Sequence, residues 1–280
     1  MSDCIIRTLI CDRQVSLAVL ETTELVNKAV QIHGTSWQAT KLFGGLLTCA
    51  AYLASSLKED SGSVSLTVKA KDGDGAVSVS ADKALHVRGY VDGSCQNTLK
   101  GGTLTVVRED GFSRPFVGTC EIMSDDVSDI LSAYFGQSEQ IPAAVKIEVE
   151  TGADGNCVSA GAVVMQLLPE ASEESIWQAG DVFDQFCARK AISGGQPEIF
   201  DAEKIYNSFF LPYDDGEAAT LYPRYKCNCS KSKIDCTLIA VGKEEIDKII
   251  DELGEVRVHC HYCNRDYIYD RTQTEELFRK

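Results

Sequence analysis

The chain has 280 residues, of which 44% are hydrophobic, enough for one large domain or two unequal ones. Its 42 acidic and 27 basic side chains give a net charge of −15, which repels the phosphates of nucleic acids and of anionic membranes. We therefore expect neither nucleic acid nor a membrane surface as a partner. Residues 220–280 carry 11 charges of each sign, so the acidic excess lies before them and predicts a separate C-terminal module.

Charged residues interrupt the N-terminus before an apolar stretch develops, so we expect no secretory signal. The uncharged run at 42–57 is too short for a membrane span and predicts a buried helix. The chain contains twelve cysteines, which without a secretory signal are expected to be reduced. We therefore predict a cytoplasmic protein whose clustered cysteines serve metal or redox chemistry.

Residues 1–171 are predicted to form an N-terminal α/β domain within an overall α+β fold. Between about residues 60 and 168, segments such as SVSLTV, AVSVSA and VKIEV alternate with period two and predict a mostly antiparallel sheet. Gly- and Asp-rich turns, such as the one at 72–75, separate them. Helices are predicted at 23–33, 37–57 and 125–135, with Ser124 capping the last.

Residues 172–225 combine helix-compatible segments with prolines and glycines and predict a helical linker. The segment is rich in large apolar side chains, which an ordinary solvated linker lacks. They are Trp177, Phe183, Phe186, Phe200, Tyr206, Phe209, Phe210, Tyr213, Tyr222 and Tyr225. Two interpretations stay open: a helical subdomain docked permanently on the sheet, or a segment whose apolar groups are exposed conditionally.

Residues 226–280 predict a small C-terminal domain. Ile246, Ile249, Ile250 and Leu253 recur at helical spacing, so a helix should end at Gly254. The alternating sequence that follows predicts a hairpin with CHYC at its turn. Thr272 and Glu275 are predicted to form a capping box for a final short helix.

Four cysteines of this domain have metal-ligand spacing. Cys227 and Cys229 form a C-x-C pair, Cys260 and Cys263 form a C-x-x-C pair, and 30 residues separate the pairs. Four soft sulfur ligands favour one tetrahedral zinc ion with no open position for substrate, so its expected role is to organise structure. Such thiolates are also oxidation targets, and their oxidation would release the metal and unfold the domain.

Two histidines and a fifth cysteine lie near the pairs. His259 and His261 flank Cys260 and are interpreted as neighbours of the site, or less simply as replacements for a sulfur ligand. Cys236 is either a small buried hydrophobic residue or a disulfide partner outside the main pairing.

The other cysteines are predicted to fill the core; they are Cys4, Cys11, Cys49, Cys95, Cys120, Cys157 and Cys187. The sequence shows no P-loop, G-x-G-x-x-G or G-x-S-x-G motif, and two S-x-x-K matches lack the motifs that should accompany them. The protein is therefore predicted not to be an enzyme.

These features together resemble the thirty-three-kilodalton heat-shock protein family, the redox-regulated holdase chaperones of the bacterial cytoplasm. The most specific part of the resemblance is CNC, the 30-residue gap and CHYC followed by NRDYIYD. VRGYVD, YFGQSEQIP and AGAVVMQLLP support it over nearly the whole length. Two residues depart from the family pattern: Ala162 replaces a second glycine, and Gly45 stands where a basic residue is frequent.

The resemblance implies an α/β domain, a metastable linker and a zinc domain that holds the linker closed while reduced. Under peroxide or hypochlorous acid, Cys260 with Cys263 would pair first, zinc would leave, and Cys227 with Cys229 would follow. Unfolding client proteins would then bind the linker without ATP. Activation would also produce a homodimer. The candidate client-binding residues are Phe200, Tyr206, Phe209, Phe210, Tyr213 and Tyr222.

Two other functions compete with the chaperone. A zinc-ribbon module for nucleic acid would use the local positive charge at Arg224, Lys226, Lys231 and Lys233, although a solvated face explains these residues more simply. A thiol-disulfide oxidoreductase would use Cys260 and Cys263. That chemistry normally places C-x-x-C at a helix N-terminus, whereas here a hairpin is predicted.

Overall fold

The computed structural model describes residues 2–71, 75–93, 99–111, 114–192 and 199–279. Cys95 and residues 72–74 of the predicted turn lie outside these residues. The chain forms two compact units, Met1–Tyr225 and Lys226–Lys280. The fold is α+β with mostly antiparallel sheets, which confirms the predicted fold class. No helix in these described ranges has both the length and the apolarity needed to cross a membrane.

One sheet of the first unit has five strands in the order β10-β1-β2-β9-β8, and every neighbouring pair is antiparallel. The strands are β1 (Cys4–Ile10), β2 (Val15–Glu21), β8 (Ala143–Thr151), β9 (Cys157–Leu167) and β10 (Ala219–Leu221). Apolar residues lie on both faces of β1, β2 and β9, so both faces of this sheet are covered.

The second sheet has six strands in the order β11-β5-β4-β3-β6-β7. The strands are β3 (Ser63–Lys69), β4 (Gly75–Asp82), β5 (His86–Gly93), β6 (Thr103–Glu109), β7 (Phe116–Glu121) and β11 (Arg224–Tyr225). In β3 the residues Val64, Leu66 and Val68 are buried and alternate with hydroxyl side chains, which is the period-two pattern read from the sequence. Within the described residues of this sheet, β11 alone runs parallel to its neighbour, β5.

Three helices pack with these sheets: α1 (Thr23–His33), α2 (Trp37–Ser55) and α3 (Val127–Tyr134). The apolar run at 42–57 forms most of α2, which is buried as predicted and packs into the main core. Gly45 permits close packing against α3, because a Cβ there would lie 2.9 Å from Cγ2 of Val127. A large basic side chain at this position would therefore require the two helices to move apart.

The predicted cap of α3 is wrong. Asp126 caps the helix by accepting a hydrogen bond of 2.8 Å from the amide of Ser128. Ser124 instead accepts the amide of Asp126, at 3.1 Å, two residues too early to serve the first helical residues.

The end of the first unit lies against the outer face of the five-stranded sheet. It begins with α4 (Glu173–Ile192) and continues through α5 (Ala202–Ile205), a π-helical turn (Tyr206–Phe210) and a 3₁₀ turn (Leu211–Tyr213). β10 and β11 then join one sheet each. Gly161 of β9 makes room for this segment, since a Cβ there would lie 2.3 Å from Cδ1 of Phe200.

The second unit contains α6 (Lys231–Val241), α7 (Lys243–Leu253), the hairpin of β12 (Val256–Cys260) and β13 (Arg265–Tyr269), and α8 (Arg271–Leu277). The helix ending at Gly254 and the hairpin are confirmed; Gly254 has a φ of 80°, the left-handed conformation that glycine favours. The predicted cap of α8 is wrong. Asp270 and Gln273 form the capping box, because the extended chain ends at Asp270 and Thr272 already lies inside the helix.

Asp214 ties the end of the first unit to strand β1. Its Oδ1 accepts hydrogen bonds from Thr8 Oγ1 at 2.6 Å and from the amide of Gly216 at 3.0 Å, and its Oδ2 accepts one from the hydroxyl of Tyr206. Burial opposes ionisation of Asp214, but these three hydrogen bonds outweigh it and lower the pKa of the carboxyl.

Replacement of Asp214 by alanine is expected to lower the free energy of unfolding by about 1–3 kcal/mol at pH 7, because two hydroxyls and one amide lose a charged acceptor. The folded-state pKa is lowered, so this stabilisation is present at neutral pH and is lost as the pH falls through that pKa. Urea midpoints should therefore differ at neutral pH and converge in acid. Glu217→Ala, at an exposed neighbouring position, is the control. Equal midpoints for both variants at pH 7 would contradict the role of Asp214.

Candidate functional site

The four paired cysteines come together within the second unit. Cys227 and Cys229 lie in extended chain before α6, Cys260 ends β12, and Cys263 lies in the hairpin turn. All four Sγ atoms are within 4.8 Å of one another. The distance from Cys227 Sγ to Cys260 Sγ is 3.7 Å, and that from Cys229 Sγ to Cys263 Sγ is 3.4 Å.

Local backbone geometry explains this convergence. In the hairpin turn, the carbonyl of Cys260 accepts the amides of Cys263, at 3.2 Å, and of Asn264, at 2.9 Å. Asn264 has a φ of 53°, a left-handed conformation that asparagine tolerates better than most residues. Ser230 then starts α6 by accepting the amide of Lys233 at 3.3 Å, which fixes where the extended C-x-C segment ends.

The sulfur arrangement suits a metal ion. Sulfurs placed at about 2.3 Å from zinc in a regular tetrahedron would lie about 3.8 Å apart. The two measured contacts, 3.7 and 3.4 Å, are close to that spacing. The four cysteines can therefore hold a metal ion without a large movement of the backbone.

Electrostatics makes a cation necessary if all four sulfurs are to be thiolates. Burial and the neighbouring thiol of Cys260 raise the pKa of Cys227. Burial and the thiol of Cys229 likewise raise the pKa of Cys263, to about 11. Burial also opposes ionisation of Cys229, but hydrogen bonds from Tyr267 and the adjacent thiols lower its pKa to about 7. Without a cation, therefore, one thiolate can form readily while its neighbours stay protonated.

A small core supports the four cysteines. Leu238, Ile246, Ile250, Val256 and Tyr269 are its buried members. The hydroxyl of Tyr269 donates to Oδ1 of Asp235 at 2.7 Å, which connects the hairpin to α6. A unit this small, with so few buried apolar side chains, usually needs a metal ion or a disulfide for stability.

The histidines lie beside the cluster and are not part of it. His259 points away from Cys260 along the alternating strand and contacts Asp266, with 2.7 Å between Nδ1 and Oδ1. The rings of His259 and His261 meet edge to face, with centroids 5.1 Å apart. Among the described residues, the group that can hold a metal consists of the four cysteines.

Cys236 is exposed on α6, so its interpretation as a buried hydrophobic residue is wrong. Leu238 is the buried residue of α6, and most other side chains of this helix are exposed, which explains the error. Its role as a disulfide partner stays a prediction.

The cysteines of the first unit largely match the core prediction. Cys4, Cys11, Cys49, Cys120 and Cys157 are buried, and Cys187 is half-buried. Burial raises the pKa of Cys4 and of Cys11 to about 11, which leaves these thiols weakly nucleophilic at neutral pH.

The candidate client-binding residues differ in exposure. Phe200, Tyr206 and Phe210 are buried, whereas Phe209 and Tyr213 are half-buried. Tyr222 is 64% exposed. The first five therefore belong to a covered aromatic layer, and Tyr222 does not.

Phe186 of α4 is the centre of this layer. Its ring lies 6.3 Å from that of Phe200, 5.9 Å from that of Phe209 and 6.0 Å from that of Phe210, measured between centroids. We call these four phenylalanines together with Tyr206 and Tyr213 the aromatic layer. It packs on buried side chains of β1, β2 and β9.

A buried ion pair that sequence reasoning missed fastens α4 to the sheet. Arg189 Nη2 donates to Glu148 Oε2 of β8 at 2.6 Å, and both side chains are less than 10% exposed. The guanidinium carbon of Arg189 also lies 3.9 Å from the centroid of Phe186. The sequence does not single out this pair, because α4 and β8 each contain several other charged residues.

Comparisons with known proteins agree with this fold. The family profile described as Hsp33 protein matches residues 3–270. The 33 kDa chaperonin of Caldanaerobacter subterraneus subsp. tengcongensis is 29% identical over 301 aligned positions, covering 100% of this chain and 99% of that protein. The 33 kDa chaperonin of Clostridium perfringens strain SM101 is 30% identical, and the alignment covers 100% of this chain and 92% of that protein.

A solved structure has the same fold. The crystal structure of the 33 kDa chaperonin (heat shock protein 33 homolog) from Thermotoga maritima superposes with a TM-score of 0.82, covering 100% of this chain and 98% of that one. The sequence identity is 24%, so this likeness concerns the fold. Since the family profile spans nearly the whole sequence and relatives align from end to end, the chain belongs to the Hsp33 family.

Proposed function

We propose that this protein is a redox-regulated, ATP-independent holdase chaperone whose four cysteines hold one zinc ion while reduced. Family membership supports the chaperone function. The observation that carries the regulation is the convergence of Cys227, Cys229, Cys260 and Cys263 within 4.8 Å in a unit with a small core. Such a site makes the fold of the second unit depend on the oxidation state of sulfur.

Zinc is the metal that suits these ligands best. Four thiolates are soft ligands, and zinc accepts four-coordinate tetrahedral sulfur sites without a preference for another geometry. Four protein ligands leave no position for water or substrate, so the ion would supply stability and no catalysis. The C-x-x-C motif lies at a hairpin turn, which lacks the helix N-terminus that lowers the pKa of an oxidoreductase thiol.

Oxidation would remove the ligands in pairs. A thiolate attacks hydrogen peroxide, takes one oxygen to become a sulfenic acid and releases hydroxide; a second thiolate then displaces the sulfenic oxygen and forms a disulfide. Two thiolates lose two electrons, and peroxide with two protons becomes two waters. We propose Cys260 with Cys263 and Cys227 with Cys229 as the pairs, which is the pairing that the family resemblance implies.

Loss of the ion would unfold the second unit. Structural zinc contributes about 10–16 kcal/mol of apparent binding free energy in zinc-finger peptides at pH 7, which is comparable to the stability of a whole domain. Cys227 follows β11 by two residues, so unfolding would reach the end of the first unit through the chain itself. We propose residues 172–225 as the linker that this releases, between a core domain at 1–171 and the zinc domain at 226–280.

Release of the linker would expose the aromatic layer to unfolding client proteins. We propose Phe200, Tyr206, Phe209, Phe210 and Tyr213 as contacts that become accessible and Tyr222 as one accessible throughout. Large aromatic groups bury much apolar area at little entropic cost, which suits binding to varied apolar segments. The net charge of −15 would keep the client complex dispersed. We also propose a cytoplasmic location and a homodimeric active form.

The metal prediction is tested by replacing one ligand. Cys263→Ser should reduce bound zinc from one ion per chain to a small fraction and expose apolar surface without oxidant, because three thiolates cannot close the site. Cys236→Ser, an exposed cysteine of the same unit, should keep full zinc and is the matched control. Elemental analysis and binding of a hydrophobic dye give both readouts. A zinc-loaded Cys263→Ser protein with unchanged dye binding would contradict the site.

The regulatory prediction concerns oxidant. Peroxide at mildly elevated temperature should release one zinc per chain and turn on suppression of client aggregation, followed by light scattering. Dithiothreitol with added zinc should reverse both changes. Metal release without any gain in suppression would show that the site is structural and not a switch.

A further inference from the structure

Tyr267 contacts one of the four sulfurs directly. Its hydroxyl donates a hydrogen bond to Sγ of Cys229 across 3.2 Å. The hairpin positions it for this contact, because Tyr267 pairs with Val258 and lies on the half-buried face that also carries Cys260. The contact involves one member of the C-x-C pair.

Hydrogen bonds from the main chain reach both pairs. Sγ of Cys227 accepts the amide of Cys229 at 3.4 Å, and Cys263 accepts the amide of Arg265. Tyr267 therefore adds a hydroxyl donor to the C-x-C pair beyond what the backbone supplies. A side-chain substitution can remove this donor and leave the backbone intact.

A hydrogen bond to a thiolate withdraws negative charge from sulfur and makes it a weaker nucleophile. For thiols, a tenfold fall in basicity lowers nucleophilicity about threefold. Cys229 takes part in forming the Cys227–Cys229 disulfide either as the sulfur that attacks peroxide or as the one that displaces the sulfenic oxygen of Cys227. The Tyr267 hydrogen bond slows both steps.

We propose that Tyr267 is a positioning residue that sets the order of oxidation, protecting Cys229 so that the Cys260–Cys263 pair reacts first. This inference rests on the proposed function, since it assumes a metal-bound, oxidisable cluster. Each disulfide forms with loss of two electrons from two thiolates, and peroxide with two protons becomes two waters. With Tyr267 in place, the C-x-C pair keeps its thiolates for longer than the C-x-x-C pair.

Tyr267→Phe removes the hydroxyl and keeps the ring. Tyr269→Phe is the matched control: Tyr269 lies two residues further along β13, and its hydroxyl donates to Asp235, not to sulfur. Zinc-loaded proteins are treated with limiting peroxide, quenched with an alkylating reagent at timed intervals, and mapped for each disulfide by mass spectrometry.

In the unsubstituted protein and in Tyr269→Phe, the Cys260–Cys263 disulfide should form first. In Tyr267→Phe, formation of the Cys227–Cys229 disulfide should speed up about threefold or more relative to the other pair. An unchanged ratio, or an equal change in Tyr269→Phe, would overturn the role of Tyr267 while leaving the proposed function intact. An unsubstituted protein that holds no metal and forms neither disulfide would overturn both.

A spectroscopic readout separates the hydrogen bond from a general loss of stability. With Co²⁺ in place of zinc, the sulfur-to-metal charge-transfer band should move to longer wavelength in Tyr267→Phe, because the sulfur lone pairs are less stabilised. The band should not move in Tyr269→Phe. Identical bands in all three proteins would contradict a hydrogen bond to the metal-bound thiolate.

Discussion

The repulsion among four sulfurs held within 4.8 Å is the constraint on which the second unit depends. Ionised thiolates this close require a cation. Protonated thiols attract one another only weakly, so they would do little to hold the hairpin beside the C-x-C segment. The core beneath the cluster has five buried members, which is too few to impose the arrangement alone. A chemical change at sulfur is therefore able to become a change in folding.

Among the described residues of the first unit, no sulfur cluster is involved in keeping the aromatic layer buried. The aromatic layer is held by side-chain packing and by a few polar contacts at its edges, such as the Arg189–Glu148 pair and the hydrogen bonds to Asp214. Removal of one partner from a buried ion pair is costly, so these contacts fix one docked position. The strands that the segment adds to the two sheets have three and two residues. The proposed release of this segment would therefore break few strand hydrogen bonds.

Much of the fold was predictable because its periodicities are strong. Strand β3 alternates without interruption, α2 is buried on all sides from Phe43 to Ala54, and the helix ending at Gly254 has a clear stripe of apolar residues. The convergence of the four cysteines was predictable from spacing, because few other functions need a C-x-C and a distant C-x-x-C. The family resemblance read from the same strings is confirmed by the family profile.

Features that depend on contacts across the chain were not predictable. Helix caps were misplaced at Ser124 and Thr272, because neighbouring hydroxyl and carboxyl residues are equally good caps and the backbone decides between them. The pairing of Arg189 with Glu148 joins residues 41 positions apart, and the Tyr267–Cys229 contact spans 38. The buried state of Phe200 and Phe210 likewise follows from packing on a sheet, which composition does not specify.

The central claim is that sulfur-bound metal in residues 226–280 controls the docking of the aromatic layer in the first unit. Hydrogen exchange followed by mass spectrometry tests it most directly, on one sample before and after oxidation. The account predicts that amides of 199–213 and of 226–280 lose protection together when the metal leaves, while β3 and α2 stay protected. Loss of protection confined to 226–280, with 199–213 unchanged, would contradict it.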